Sequence, residues 1–405
     1  MRFKPFQALR PSPALASAVA ALPYDVVSTA EARALAAGNP NSFFHVSRPE
    51  IDLPEGTDPH SGVVYAQAAS AFARFRKEGI LRPYRRSRFH IYRQRMGGHD
   101  QYGVVGCFHA DDYASGIVRR HERTRADKEE DRLRHLAAIR AHSGPVFLTY
   151  HDSAEVNACA EETCRGTSLF DFTAPDGIRH TVWEVSDSEA VERAFAPVPR
   201  AYIADGHHRC AAAARYAAER RAENPSGSGP AEHEWILGVM FPASQLRILP
   251  YNRLVRDLAG RSPSQFLAAL GQRFALKETR NACPEGRGRA NLYLGGKWYD
   301  ISLPAPPAGV HPRPLDVAVL QETLLGPILG IDDPRTSQRI DFVGGIRGTA
   351  ELARRVDAGD WAVAVSMYPV SIDDVMAYAD ADAILPPKST WFEPKLRSGL
   401  LVHAF

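Results

Sequence analysis

Six consecutive residues, Ala204-Asp205-Gly206-His207-His208-Arg209, concentrate more chemistry than any other part of this chain. A short apolar run, Tyr202-Ile203-Ala204, ends at an Asp-Gly turn, and the Ala-rich stretch from His208 to Arg221 that follows reads as a helix. Gly206 lets the backbone approach a ligand closely. The first N–H groups of the helix have no intrahelical partner, and such a helix start attracts anions, phosphate above all. His207 and His208 add two titratable rings, and Arg209 adds a planar fork suited to oxyanions. Asp205 is left three roles: capping the helix, fixing a histidine tautomer, or binding a metal. Simple capping beside solvated histidines is the plainer reading, but it does not explain three charged or titratable groups at one helix start.

Two further segments compete for attention. Arg119 to His135 is densely charged and falls within a stretch, Ile117 to Ala141, that reads as one long helix. Mixed charge of this kind suits a solvated face laced with i,i+4 pairs such as Arg123 with Asp127. Yet His121, Glu122, Arg125 and Lys128 are spaced so that several share one helix face, which would suit the wall of a nucleotide pocket. The other segment, Leu385 to Gly399, holds Lys388, Ser389 and Thr390 as donors to a phosphate, with Lys395 and Arg397 adding charge. Its alternative is a tail packed by Trp391 and Phe392. Lesser strings are Pro23 to Val27, Asn41 to Val46, Asp332 to Arg335 and Arg339 to Arg347. Gly344-Gly345 does not match the phosphate-loop spacing.

The elements that must position these residues alternate in type. Ala66 to Glu78 reads as an amphipathic helix, followed by strands at Phe89 to Arg93 and Gly103 to Phe108. A strand at Val146 to Tyr150, a helix near Ser153 to Arg165, a strand at Thr181 to Val185 and a helix near Ser188 to Phe195 lead into the strand Ala201 to Ala204. Ser226 to Pro230 reads as a flexible loop, and Trp235 to Phe241 as another buried strand. Beyond residue 260 come a helix near Ser264 to Phe274, a hairpin at Leu294 to Lys297, and a closing passage with Ser371 to Asp374 in capping-box form. The expected class is α/β with a mixed sheet plus an additional α+β subdomain. The expected division is an N-terminal α/β segment (1–95), a central domain with the Asp-Gly turn (96–260), and a C-terminal α+β region packing back on the core (261–405).

Composition narrows the field. A chain of 405 residues is long enough for two or three domains, and 44% hydrophobic with 24% charged residues is ordinary for a globular protein. Lys plus Arg number 49 against 47 Asp plus Glu, so the net charge of +2 gives no reason to expect a nucleic-acid or membrane-surface binder. Five scattered cysteines form no C-x-x-C pair, which suits a reducing compartment. No signal-peptide pattern or long apolar run is present, so a cytoplasmic location without membrane contact is expected.

Taken together, Pro23-Tyr-Asp-Val-Val27, His45 to Glu50, His121 to Arg125 with Asp127 to Glu129, Gly144 to Leu148, Ala204 to Arg209, Leu249 to Arg253, Asp341 to Gly345 and Lys388 to Lys395 resemble the family catalogued as "domain of unknown function 1015". The motifs span nearly the whole chain in one order, but that family name carries no function. More distantly, Asp205 to Arg209 before a small-residue helix is similar to the turn of ParB-like and sulfiredoxin-like folds, a superfamily that includes nucleotide-dependent kinases of free serine. That likeness implies a nucleotide-binding core in which Gly206, His207, His208 and Arg209 hold phosphates, with Asp205 near the reacting centre. The greater length here is a departure from it.

The leading expectation is phosphoryl transfer from a nucleotide to a small hydroxyl metabolite, serine first. The implied cofactors are ATP or ADP with Mg2+, for which Asp205 is a candidate ligand, although no firm metal site is read. Asp205, Glu122, His207 and His208 are the candidate catalytic residues. Gly206, His208, Arg209, Arg123, Arg125, Lys128, Lys388, Ser389 and Thr390 are the candidate phosphate-binding residues. A hydrolase in the same pocket and a ParB-like nucleotide-sensing or DNA-binding regulator are the alternatives, and a homodimer is a candidate assembly.

Overall fold

Short apolar runs alternating with amphipathic stretches cannot bury themselves alone, and in this chain they assemble into sheets backed by helices. The computed structural model describes residues 1–223, 231–307 and 309–405. The loop read at Ser226 to Pro230 lies outside the described residues. The chain divides into two compact units, Met1–Leu246 with Pro394–Phe405, and Arg247–Glu393.

The first unit is built on a sheet whose strands are β1 (Phe3–Lys4), β2 (His90–Met96), β3 (His99–His109), β4 (Val118–Arg119), β5 (Val146–Tyr150), β6 (Phe170–Thr173), β7 (Arg179–Glu184), β8 (Ala201–Asp205) and β9 (Trp235–Pro242). Across the sheet the order is β4, β8, β5, β9, β3, β2, β7, β6, with β1 pairing on β3 as well. β4 runs parallel to β8 and β9 parallel to β5, while the other neighbours are antiparallel. This is the mixed α/β class expected from the alternation.

Helices α1 (Gly62–Lys77), α2 (Ala126–Ile139), α3 (Ala154–Cys164), α4 (Ser188–Phe195) and α5 (His207–Glu223) belong to the same unit. Side chains set the starts of α3 and α4: the Ser153 hydroxyl accepts the Val156 N–H at 3.4 Å, and the Asp187 carboxylate accepts the Ala190 N–H at 3.0 Å. Val156, Val191, Phe195, Cys210 and Ala213 then bury against Ile91, Leu148, Ile203 and Met240 of the sheet. Each fully buried Leu, Ile or Phe side chain is worth about 1.5–3 kcal/mol relative to exposure. Gly106 in β3 is required by this packing, because a Cβ there would sit 2.6 Å from the Phe89 ring. A second cluster joins Phe72 and Phe75 of α1 to Phe43, Leu81 and Val402. Val402 arrives in the strand Val402–Ala404, which pairs with Ala8–Arg10 on one side and Ala141–His142 on the other.

The second unit holds an antiparallel sheet of β10 (Tyr251–Val255), β11 (Leu276–Thr279), β12 (Arg289–Leu294), β13 (Lys297–Ser302), β14 (Ile340–Gly344) and β15 (Val363–Met367), in the order β11, β13, β12, β15, β10, β14. The expected hairpin turns at Gly295 and Gly296 between β12 and β13. Ser371 caps the helix Ile372–Asp380, its hydroxyl accepting the Asp374 N–H at 3.1 Å.

One expectation is corrected. Ile117 to Ala141 is not a single helix: Val118–Arg119 forms β4 and α2 starts only at Ala126. β-branched Val118 pairs with Ala201 at the sheet edge, and Arg125, in extended backbone (φ −88°, ψ 132°), gives its N–H to a histidine ring instead of a helical carbonyl. Charge density had suggested a helical face, but tertiary pairing claims these residues.

Candidate functional site

β8 ends inside the unit at Asp205, and its pairing with β5 changes register between Ile203 and Asp205. Such an irregularity re-aims the side chain that follows it. Gly206 then takes φ +98°, a conformation that side-chain-bearing residues rarely adopt, and α5 begins at His207. With any other residue there the strand would turn into the helix only under strain.

The Asp205 carboxylate meets two cations. Lys395 Nζ stands 3.4 Å from Oδ2 and donates to it, and Arg209 Nη2 lies 3.7 Å from the same oxygen. Burial works to raise the carboxyl, but Lys395, Arg209 and the Gly206 N–H outweigh it and hold Asp205 below its ordinary 3.8. Asp205 is therefore an ion-paired carboxylate at neutral pH. Arg209 also donates through Nη1 to the Pro145 carbonyl at the start of β5, which locks the guanidinium between the two strand ends.

The non-helical stretch before α2 folds over the start of α5. His121 and His207, both buried, meet edge to face with ring centroids 4.4 Å apart. Glu122 Oε2 lies 3.7 Å from His207 Nδ1. The Arg125 N–H donates to His208 Nε2 at 3.1 Å, so that nitrogen is an acceptor and the neutral ring carries its proton on Nδ1. Burial, followed by the neighbouring His121, His208 and Arg209, holds His207 well below its ordinary value. Burial likewise lowers His121 to about 4, with Asp205 opposing. Two neutral imidazoles thus stand beside an ionised carboxylate. For a group lowered in the fold, stability is present above the ordinary value of 6.5 and is lost as pH falls from there through about 4. Imidazole NMR is expected to show His121 neutral down to pH 5, protonating near 4; a midpoint at 6.5 would contradict its burial.

The candidate residues separate by place. Asp205, Gly206, His207, His208 and Arg209 gather with Glu122 and the Arg125 backbone, while the Arg125 side chain turns to Asp127 at 2.8 Å. Arg123 is exposed and Lys128 partly so. Lys388, Ser389 and Thr390 belong to the second unit. There Ser389 donates to the Pro386 carbonyl at 2.6 Å, Lys388 Nζ lies 5.2 Å from the Tyr251 ring centre, and Trp391 packs on the same ring at 5.1 Å. The segment is packed as well, Trp391–Glu393 pairing with Arg247–Leu249. The lesser strings are occupied by pairs such as Arg339 with Asp257 and Arg335 with Asp333. Sequence reading gave Lys395 no role beyond added charge, because nothing in local spacing ties it to a carboxylate 190 positions away.

Among the described residues no three His, Cys, Asp or Glu side chains group as a metal site. Asp205 is already paired with two cations and is a poor sole ligand, so Mg2+ fits here only as an ion carried largely by phosphates, as nucleotide sites commonly hold it. A cavity of ≈ 40 Å³ adjoins Arg209. A larger one of ≈ 530 Å³ lies among Tyr102, Tyr150, Asn157, Cys164 and Gln245, and none of the candidate site residues lines it. No helix among the described residues is long and apolar enough to cross a membrane.

The family model described as "Protein of unknown function (DUF1015)" matches residues 3–323, and the chain belongs to that family. No curated protein matches. Among solved structures the chain is similar to a conserved hypothetical protein from Pyrococcus furiosus, at 12% identity and TM-score 0.36, over 74% of this chain and 94% of that one. It is also similar to a free serine kinase in complex with AMP, at 11% identity and TM-score 0.37, over 74% and 91%. SbnI with a C-terminal truncation from Staphylococcus aureus aligns at 12% identity and TM-score 0.37, over 74% and 87%. Likeness at these scores assigns no role to any residue.

Proposed function

We propose that this member of the DUF1015 family transfers a phosphoryl group from ATP or ADP to a small hydroxyl metabolite, with serine the first acceptor to test. The observation that carries the reading is the turn at Asp205–Gly206, where an ionised carboxylate, two cations and the N-terminus of a helix converge. Phosphoryl transfer asks a protein for positioning and charge neutralisation more than for covalent chemistry. The N-terminus of α5 and Arg209 hold the donor phosphates, and Lys395 joins them in offsetting the charge of the transferred group. Arg123 and Arg125 from the stretch before α2, and Lys128 from its first turn, line the approach.

The terminal P–O bond of the nucleotide breaks, a new P–O bond forms to the acceptor oxygen, and the hydroxyl proton passes to a carboxylate. Asp205 is the better placed for this, with Glu122 second. A carboxylate held low by two cations is a weak base, so Asp205 orients the hydroxyl and takes its proton late. His207 and His208, neutral beside it, complete the wall and donate without adding charge. Bound Mg2+ would supply further neutralisation of the phosphates.

The test is a thermal-shift titration with ATP, ADP and Mg2+ on the wild type, Arg209→Ala and Ala160→Trp. A ligand that binds only the folded state raises the midpoint, by about 2.7 kcal/mol of stability at a hundred times its Kd. The rise is expected in the wild type, absent in Arg209→Ala, and kept in Ala160→Trp, which fills the ≈ 530 Å³ cavity instead. No rise with any nucleotide ends the kinase reading, and a rise lost only in Ala160→Trp moves the nucleotide to that cavity.

A further inference from the structure

Arg209 serves the turn with two of its nitrogens and leaves a third unused. Nη1 goes to the Pro145 carbonyl and Nη2 faces Asp205, while Nε is buried with no hydrogen-bond partner among the described residues. The ≈ 40 Å³ cavity that Arg209 borders is lined, beside His135 and His142, by Tyr24, Ser47, Arg132, Ser143 and Ser398. Ser47 is 4% exposed, and its hydroxyl too is buried without a partner. Arg132 is held over the Tyr24 ring, its Cζ 3.8 Å from the ring centre, and gives Nε and Nη2 to Asp131 at 2.9 and 2.6 Å. Its Nη1 makes no hydrogen bond among the described residues. Asp131 also receives the Tyr65 hydroxyl at 2.9 Å, so this arginine is fixed in place before any ligand arrives.

Size decides what can enter. One water needs roughly 10–15 Å³ of such space, so ≈ 40 Å³ admits a group of about three heavy atoms and excludes a nucleoside. Two guanidiniums and the Ser47 hydroxyl are donors matched to a planar oxyanion, with Ser143 and Ser398 also on the wall. Buried donors left without acceptors are costly, and an oxyanion satisfies them where an apolar group would not. Each guanidinium already faces one carboxylate, Asp131 or Asp205, so a free anion would bind weakly. The same anion tethered to a molecule held elsewhere in the site would bind at high effective concentration.

We infer that this cavity receives the carboxylate of the acceptor, which makes the substrate class a hydroxy acid or hydroxy amino acid. The inference rests on the phosphotransfer reading, with Arg209 as the shared wall between the donor phosphates and the acceptor's carboxylate. Arg132 and Ser47 belong to the acceptor alone.

The test is thermal shift without nucleotide, using L-serine, glycolate, ethanolamine, formate and inorganic phosphate as probes on wild type, Arg132→Met and Ser47→Ala. L-serine and glycolate are expected to raise the midpoint, formate weakly, and ethanolamine not at all. The half-saturating concentration of L-serine should rise at least tenfold in Arg132→Met and about threefold in Ser47→Ala, with the ATP response of both variants unchanged. Should Arg132→Met fail to fold by circular dichroism, Ser47→Ala reads the same contact without disturbing the Tyr24 stack. Equal responses to ethanolamine and L-serine, or an L-serine response untouched by both variants, would overturn the assignment. So would a phosphate response that is stronger than that of L-serine and lost in Arg132→Met, because the cavity would then belong to the donor. Loss of the nucleotide response alone would end the phosphotransfer reading and leave the carboxylate result standing on its own measurement.

Discussion

Asp205→Asn is expected to lower turnover about a thousandfold, the middle of the range found when a positioned proton acceptor is removed. The substitution keeps shape and volume but offers Lys395 and Arg209 an amide where they now meet a carboxylate at 3.4 and 3.7 Å. An amide cannot take the hydroxyl proton. Nucleotide affinity should hold or rise, because the two cations freed from Asp205 turn toward the phosphates. Fold stability should fall by about 2 kcal/mol, less than for a fully buried pair since the carboxylate is 25% exposed. The pH dependence has a definite sign. Because Asp205 is held below 3.8, its contribution is present above that value and is lost as pH falls through the lower folded one, and the Asn variant should lack that acid limb. Steady-state kinetics with a nucleotide titration decides the matter, with Glu122→Gln run alongside. A large loss in Glu122→Gln and little in Asp205→Asn would hand the role to Glu122. Turnover within tenfold of wild type in both would remove carboxylate assistance altogether.

Gly206→Ala should damage the turn through strain and crowding at once. At φ +98° an L-residue is strained, at a cost of order 1–3 kcal/mol. The added Cβ would also lie 3.0 Å from Arg209 Cζ and 3.1 Å from Nε and Nη2. The guanidinium cannot step aside cheaply, because Nη1 is tied to the Pro145 carbonyl. Strain and crowding together should cost about 3 kcal/mol, or roughly 6–12 °C in Tm at about 2–4 °C per kcal/mol for a unit of this size. Nucleotide affinity should drop at least tenfold. Gly177→Ala is the control: its φ is +80° and nothing lies within 4 Å of the new Cβ, so it carries strain without crowding. If both variants melt together and both keep the nucleotide response, the close approach at Gly206 has no bearing on binding.

Much of this site is visible in the sequence because the turn declares itself locally. A strand ending in Asp-Gly before a small-residue helix fixes Asp205, Gly206 and Arg209 relative to one another with no help from the rest of the chain. The strands at Val146, Ala201 and Trp235 are legible for a similar reason, being short, apolar and bounded by breakers. The stretch from Ile117 to Arg125 misled because charge spacing cannot tell a solvated helix from a loop whose amides are spoken for elsewhere. Its link to the site, the Arg125 amide on His208 and the His121 ring against His207, exists only in three dimensions. Lys388 looked better than Lys395 because it sits in a Lys-Ser-Thr run that resembles a phosphate binder. Yet the lysine that reaches Asp205 is the one that follows Pro394, read in the sequence only as added charge. Arg132 was hidden by its neighbours: on paper it is one charge among many, and only the Tyr24 stack and the Asp131 fork mark it as fixed.

The segment Pro394–Phe405 returns to the first unit only after the whole of Arg247–Glu393 has intervened. Within it, Lys395 pairs with Asp205, Arg397 with Asp176, and Ser398 exchanges backbone hydrogen bonds with Ala21. Synthesis runs from the N-terminus and domains fold as they emerge. A nascent chain that has completed β9 therefore holds every strand of the large sheet yet lacks the lysine that pairs with Asp205. The protein is assembled scaffold first and charge last, so a ribosome that stalls inside the second unit releases a framework with an unfinished site.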